Sequence, residues 1–198
     1  MKTGIIGAGL IGTALAKHLT EARYEVIISN SRGADTLQEK ITEIGGNISA
    51  GSVQDVAEAD VIFLAVRWEN VEEVLSTISL EGKILVDATN VGLPEYVLAA
   101  PGSKTSSETV SQWAKGAKVV KAFNTLSANV LAQSPKVSGG NRVVFYSGND
   151  ADAKTAVLDI INTIGFAGVD LGTLHEGGKL QRFPGGPLPT LNLIKLNY

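Results

Sequence analysis

The chain predicts an α/β fold of the doubly wound kind, a parallel sheet with helices on both faces, on three observations. Short apolar segments alternate with segments of helical periodicity as far as about residue 171, several of the apolar segments run unbroken, and the first turns into a helix through three spaced glycines. An unbroken apolar run fits a strand buried on both faces of a parallel sheet, whereas a half-exposed strand alternates. Sheets of this type bind ligands at the carboxyl ends of their strands.

The elements follow in order. Residues 3–6 end the first strand, and Leu10, Ile11, Ala14, Leu15 and Leu19 then recur at helical spacing. Residues 24–28 supply the second strand of a βαβ unit. Residues 34–44 read as a helix, 47–50 as a short extended piece, and 53–59 as one or two helical turns. Strands at 60–66, 83–87 and 118–123 alternate with helices at 71–78 and 108–114, and a short helix follows at 127–131. Residues 142–146, 151–164 and 166–171 add a further βαβ portion. The stretch 172–189 is rich in Gly and Pro and predicts no regular element. With no repeat, linker or low-complexity tract, residues 1–198 read as one domain whose last part, 172–198, is an appended segment.

Composition narrows the classes. A chain of 198 residues with 44% hydrophobic and 19% charged residues fits a soluble globular domain, and a net charge of −3 predicts neither a nucleic-acid nor a membrane partner. Cysteine is absent, so disulfides, thiolate chemistry and cysteine–metal sites are excluded. His18 and His175 alone make a metal centre unexpected. No signal-like start and no bilayer-spanning apolar run is visible, and a cytoplasmic location is expected.

Gly7, Ala8, Gly9, Leu10, Ile11 and Gly12 form a G-x-G-x-x-G turn between a strand and a helix. In that setting the first glycine permits the tight turn, the second lets backbone approach a pyrophosphate, and the third allows close helix–strand packing. The helix N-terminus then presents unpaired N–H groups to an anion. The pattern predicts a Rossmann-type dinucleotide site. An NAD site usually ends its second strand in an acid that binds the ribose 2′-OH, whereas an NADP site supplies Arg for the 2′-phosphate. Here Asn30, Ser31 and Arg32 follow the strand. Neutral donors and a guanidinium fork match a phosphate dianion, so NADP is the expected dinucleotide.

Four loops at strand carboxyl ends form the candidate site: Ala65-Val66-Arg67-Trp68, the Asp87 loop with Thr89 and Asn90, Asn124-Thr125, and the glycine-rich tail. Several of these residues carry a resemblance. The glycine turn, Ser31-Arg32, Trp68-Glu69, Ser106-Ser107-Glu108 and Lys121-Ala122-Phe123-Asn124-Thr125 resemble the coenzyme F420-dependent NADP oxidoreductase family, from the N-terminus to about Gly178. The Lys121–Thr125 motif is also similar to the cytoplasmic reductase domain of the STEAP metalloreductases. Both relatives take hydride from NADPH: the first reduces a soluble deazaflavin, and the second feeds FAD and a membrane haem for which this sequence shows no segment.

The resemblance implies NADP(H) as cofactor and F420, FAD or FMN as acceptor. It puts Ala65, Val66 and Arg67 near the nicotinamide ribose, Thr89 and Asn90 on the same rim, and Trp68 and Asn124 beside the ring or acceptor. Gly185 and Gly186, in Phe183-Pro-Gly-Gly-Pro187, would let a planar ring approach backbone. Leu196 ends an apolar tail expected to lie across the acceptor site, in a homodimer interface, or on its own sheet. Arg67 and Asn124 depart from the archaeal pattern, which has Pro and His there.

Each residue also has a plainer role open to it. The alternatives are a solvated side chain for Arg32 and Arg67, turn residues for Thr89 and Asn90, a core anchor for Trp68, and a cap on the short helix for Asn124. His175 reads as a solvated loop residue, with proton donor as the alternative. No catalytic residue is assigned. A small-molecule dehydrogenase is disfavoured because too few residues remain for a helical substrate domain, and because Tyr24, Tyr96 and Tyr146 lack a Lys four residues later. A non-catalytic NADP-binding sensor stays open.

Overall fold

Ile5 and Ile6, neighbours in the first strand, enter two different cores, and the same division repeats across the central strands. Val61 and Phe63 join one core, Ile62 and Leu64 the other. Successive side chains of a strand point to opposite faces, so a strand apolar at every position needs cover on both.

The computed structural model describes residues 1–92, 104–137 and 139–197; Tyr96 and Tyr198 lie outside the described residues. The first half runs β1 (Lys2–Ile6), α1 (Leu10–Glu21), β2 (Glu25–Ser29), α2 (Gln38–Ile44), β3 (Ile48–Ala50), α3 (Val53–Ala57), β4 (Val61–Leu64), α4 (Val71–Ser76) and β5 (Ile84–Asp87). Then come α5 (Ser106–Trp113), β6 (Lys118–Ala122), α6 (Ala128–Leu131), β7 (Lys136–Val137), β8 (Gly140–Gly148), α7 (Ala151–Thr163), β9 (Ala167–Asp170), α8 (Leu174–Gln181) and β10 (Ile194–Leu196). The expected helix at 34–44 divides into a 3₁₀ turn (Ala34–Leu37) and α2.

Strands β3, β2, β1, β4, β5 and β6 lie side by side and parallel. Helices α1, α6 and α7 cover one face, while α3, α4, α5 and α8 cover the other. His18 ties α1 to α6, its Nε2 lying 2.7 Å from the Leu131 carbonyl and its ring edge-on to Phe166. No helix among the described residues is long and apolar enough to cross a membrane.

Two features differ from the sequence expectation. The sheet is not parallel throughout, because β8 runs antiparallel to β6 while β9 returns parallel to β8. A parallel connection needs a crossover of a dozen or more residues, usually a long helix. Here the four-residue α6 and the β7–β8 hairpin reverse the chain instead.

The second difference lies in the Gly/Pro-rich stretch 172–189, which does hold a regular element, α8. Two adjacent glycines each cost a helix about 1 kcal/mol in propensity, yet the packing here demands them. A Cβ on Gly177 would stand 2.3 Å from the Ser147 Cβ, and one on Gly178 would stand 2.9 Å from the Thr105 Cβ. The helix starts at Thr173, whose hydroxyl accepts the Glu176 N–H. The apolar tail ends in β10 on the molecule's own sheet, while Leu191, Leu193 and Leu196 remain exposed.

Candidate functional site

The glycine turn is built from three separate steric demands. Gly7 has φ +109°, and a Cβ on it would meet the Ala65 carbonyl oxygen at 2.4 Å. Gly12 lies so close beneath that its Cβ would meet the Gly7 carbonyl oxygen at 1.9 Å. Gly9 is different: it starts α1 in extended backbone with no side-chain cap, and nothing lies within 4 Å of where a Cβ would be. Ala8 and Ile11 pack half-buried against the core, while Leu10 stands 77% exposed. The first turn of α1 carries no acid. Its unsatisfied N–H groups and positive dipole end thus face an open approach suited to an anion.

At the end of β2, Asn30 shapes the turn, its Oδ1 accepting the Arg32 N–H at 3.0 Å and its Nδ2 donating to Thr36 Oγ1 at 2.9 Å. Ser31 and Arg32 are exposed. Among the described residues the Arg32 guanidinium has no hydrogen-bond or ion-pair partner.

After β4, Ala65 and Val66 are half-buried. Arg67 is 82% exposed and pairs with Glu69 at 3.2 Å. Trp68 packs on the core, with its ring 5.3 Å from that of Trp113 on α5. The contact is that of a helix-start anchor.

A buried ionic cluster at the carboxyl ends of β5 and β6 escaped the sequence reading. Asp87 and Lys121, paired in register on adjacent strands, meet at 3.1 Å with side chains 0% and 3% exposed. Ser107 donates to the same Asp87 oxygen at 2.7 Å, and the Thr89 hydroxyl and N–H donate to the other at 2.6 and 2.9 Å. Lys121 also donates to the Thr89 carbonyl. Thr89 is 2% exposed, held inside this cluster. Opposite charges ending two neighbouring apolar strands were the available signal, legible only once the strand order is known.

Beside the cluster, Asn90 and Asn124 hold each other. Asn124 Nδ2 donates to Asn90 Oδ1 at 2.9 Å and to the Gln181 carbonyl at 2.7 Å, and Asn90 Nδ2 donates to the Asn124 carbonyl at 3.0 Å. Both amide hydrogens of Asn124 are therefore committed, and the side chain does not cap α6. That role belongs to Ser127. Phe123, just before it, has φ +64°. Gln181, fully buried and also unforeseen, joins this group from α8.

The tail reaches the same rim, where the Thr190 N–H donates to the Thr125 carbonyl at 2.7 Å. Gly186 makes room for its own chain, since a Cβ there would meet the Leu180 and Arg182 carbonyl oxygens at 2.6 Å. Gly185 is exposed at φ +101°. Leu196, 49% exposed, lies on β10 opposite Gly140.

His175 is a helix residue rather than a loop residue, with its side chain 45% exposed. It sits on α8 with Nδ1 3.2 Å from the Glu108 carboxylate, while Lys179 Nζ donates to Nε2 at 2.7 Å. Partial burial pushes the Glu108 carboxyl up, but hydrogen bonds from the Thr105 N–H, His175 and the Thr105 hydroxyl outweigh it and hold the group below the usual range. No cluster of metal-ligating side chains occurs among the described residues.

Residues 2–91, which carry the glycine turn, the Arg32 loop and the β4 rim, match the family model described as NADP oxidoreductase, coenzyme F420-dependent. The chain is 29% identical to Metalloreductase STEAP3 of Rattus norvegicus over 96% of its length, and spans 37% of that protein. A solved hypothetical protein from Sinorhizobium meliloti is 44% identical, with a TM-score of 0.91 and coverage of 98% of this chain and 96% of that one. A candidate F420-dependent NADP-reductase from Arthrobacter sp. FB24 is 25% identical, with a TM-score of 0.73 over 98% of this chain and all of that one. The Rossmann-type sheet, the open glycine turn and the acid-free end of the second strand thus accompany a match over residues 2–91 to the coenzyme F420-dependent NADP oxidoreductases, and the chain is similar over nearly its whole length to a candidate reductase of that kind.

Proposed function

We propose that the chain holds NADPH with its pyrophosphate at the glycine turn and its 2′-phosphate at Arg32, and serves hydride transfer to a flat redox acceptor, an F420 deazaflavin or a flavin (FAD or FMN), at the carboxyl rim. The donor set fits the dinucleotide: Gly9 leaves open space, α1 begins without an acid, and Arg32 is uncommitted. Bound NADPH supplies the hydride.

The state of the rim's titratable groups carries the choice of acceptor. Lys121 is buried on Asp87, and His175 is held between Glu108 and Lys179. Reduction of a small ketone or imine needs an acid in reach of the developing oxygen or nitrogen anion. Ring-to-ring hydride transfer is chiefly a matter of alignment at about 3–3.5 Å. The chain's contribution on this reading is to fix the two rings and exclude water.

Exposed Leu191, Leu193 and Leu196 support a second copy of the chain as the cover of the tail, and thus a homodimer. The same proposal assigns the domain to the cytoplasm. The test is anaerobic NADPH oxidation followed at 340 nm with F420, FMN, FAD and ferric chelates in parallel. Turnover with F420 or a flavin is expected. Turnover with ferric chelates alone would transfer the function to the metalloreductase class, and tight NADPH binding with no turnover would favour a sensor.

A further inference from the structure

Strand β8 loses its neighbour part-way along. Its residues Gly148, Ser147 and Tyr146 pair with Val120, Lys121 and Ala122 of β6, and its other end, from Arg142 to Gly140, pairs with β10. Val143 already donates to the Leu193 carbonyl at 2.9 Å. At Phe145, between the two ladders, a side chain takes the place of a strand. Gln181, 0% exposed, donates from Nε2 to the Phe145 carbonyl at 3.1 Å and lies 3.3 Å from Asn124 Oδ1, and its Oε1 accepts the Ser147 hydroxyl at 2.7 Å. Its own carbonyl accepts from Asn124, which passes the link to Asn90.

A chain of three amides thus runs from the end of α8 to the loop after β5, which lies on the same carboxyl rim of the sheet as the open glycine turn, with β4 and its loop between the two. Phe123 turns into this chain in a left-handed conformation that a non-glycine keeps only where its surroundings fix it. Gln181 is sealed from solvent and cannot itself meet a ligand there; it can only set where Asn124 and Asn90 stand.

We propose that Gln181 is a positioning residue for the nicotinamide half of the dinucleotide site, so that the C-terminal segment governs hydride alignment through the Gln181–Asn124–Asn90 chain without touching the dinucleotide. The proposal rests on the reading of the chain as an NADPH-dependent hydride-transfer protein.

The test uses the full chain and two probes, NADPH and adenosine 2′,5′-bisphosphate, which occupies the Arg32 half alone. In Gln181→Glu at pH 8, bisphosphate affinity stays as in wild type while the preference for NADPH over bisphosphate falls. The single-turnover oxidation rate falls about tenfold to a hundredfold, the scale of a misalignment near 1 Å. Lowering the pH to about 5.5 restores part of both, because burial raises a carboxyl's pKa and the protonated acid again donates to Phe145. Wild-type preference and rate at both pH values would overturn the proposal.

Should Gln181→Glu lose bisphosphate binding, Ser147→Ala decides. It removes one hydrogen bond to Gln181 far from the ligand and should lower the rate about threefold to tenfold, and an unchanged rate and preference would overturn the proposal. A wild-type protein that binds both probes but turns over no acceptor sinks the hydride reading alone, and the affinity preference still decides the role of Gln181.

Discussion

Lys121 meets Asp87 at 3.1 Å inside the molecule, with neither side chain in meaningful contact with water. Two charges are kept there because Ser107 and Thr89 complete the carboxylate's hydrogen bonds and the Thr89 carbonyl completes the ammonium's. Removing one partner strands the other charge. Lys121→Met is therefore expected to destabilise the protein by about 3–5 kcal/mol, read as a lower urea midpoint. The double variant Asp87→Leu/Lys121→Met should recover part of that loss, and a double variant as unstable as the sum of its singles would contradict the coupling.

The glycines of the turn should separate by what crowds them. Gly12→Ala drives a methyl into the Gly7 carbonyl and is expected to cost about 1–3 kcal/mol or more of stability. Gly9→Ala meets open space, so its thermal midpoint should stay near wild type while its affinity for NADPH falls. Equal thermal losses in the two variants would refute the assignment of Gly9 to the pyrophosphate.

Arg32→Ala should raise the dissociation constant for NADPH and leave that for NADH nearly unchanged. A charge-assisted contact contributes about 1.5–3 kcal/mol, so the ratio of the two constants should shift about tenfold to more than a hundredfold. Calorimetric titration of both dinucleotides reads it, and equal losses would remove Arg32 from the 2′-phosphate.

Glu108 gives the fold an acid limb. Its folded pKa lies below the ordinary value of 4.5, so it contributes stability that is fully present above that value and is lost as pH falls through the folded pKa. Glu108→Gln should therefore be less stable than wild type near neutrality, with the gap closing as pH falls below about 4.5. A gap constant from pH 7 to pH 3 would show that the carboxylate's charge contributes nothing.

What could be read from the chain was local. The glycine turn, the Asn30–Arg32 loop and the alternation of strands and helices as far as β6 each show in short stretches of sequence, and each element stands in the structure where its spacing put it. The remainder depends on contacts between distant segments. The Asp87–Lys121 pair needs β5 beside β6, and Gln181 matters only because β8 parts from β6 some 35 residues earlier in the chain. Helix α8 was hidden because its glycines oppose a helix by propensity and favour it by packing against Ser147 and Thr105. His175 follows from the same helix, since only α8 brings it to Glu108.

On the proposed function, hydride leaves NADPH for a flat ring held at the carboxyl rim. The most direct test is anaerobic single-turnover oxidation of NADPH deuterated at C4 on either face, with F420 and with FMN. Hydride transfer between the two rings should give a slower rate with deuterium on one face only, and one acceptor reduced for each NADPH consumed. NADPH bound tightly yet left unoxidised by both acceptors, or oxidised with no isotope effect on either face at single turnover, would contradict it.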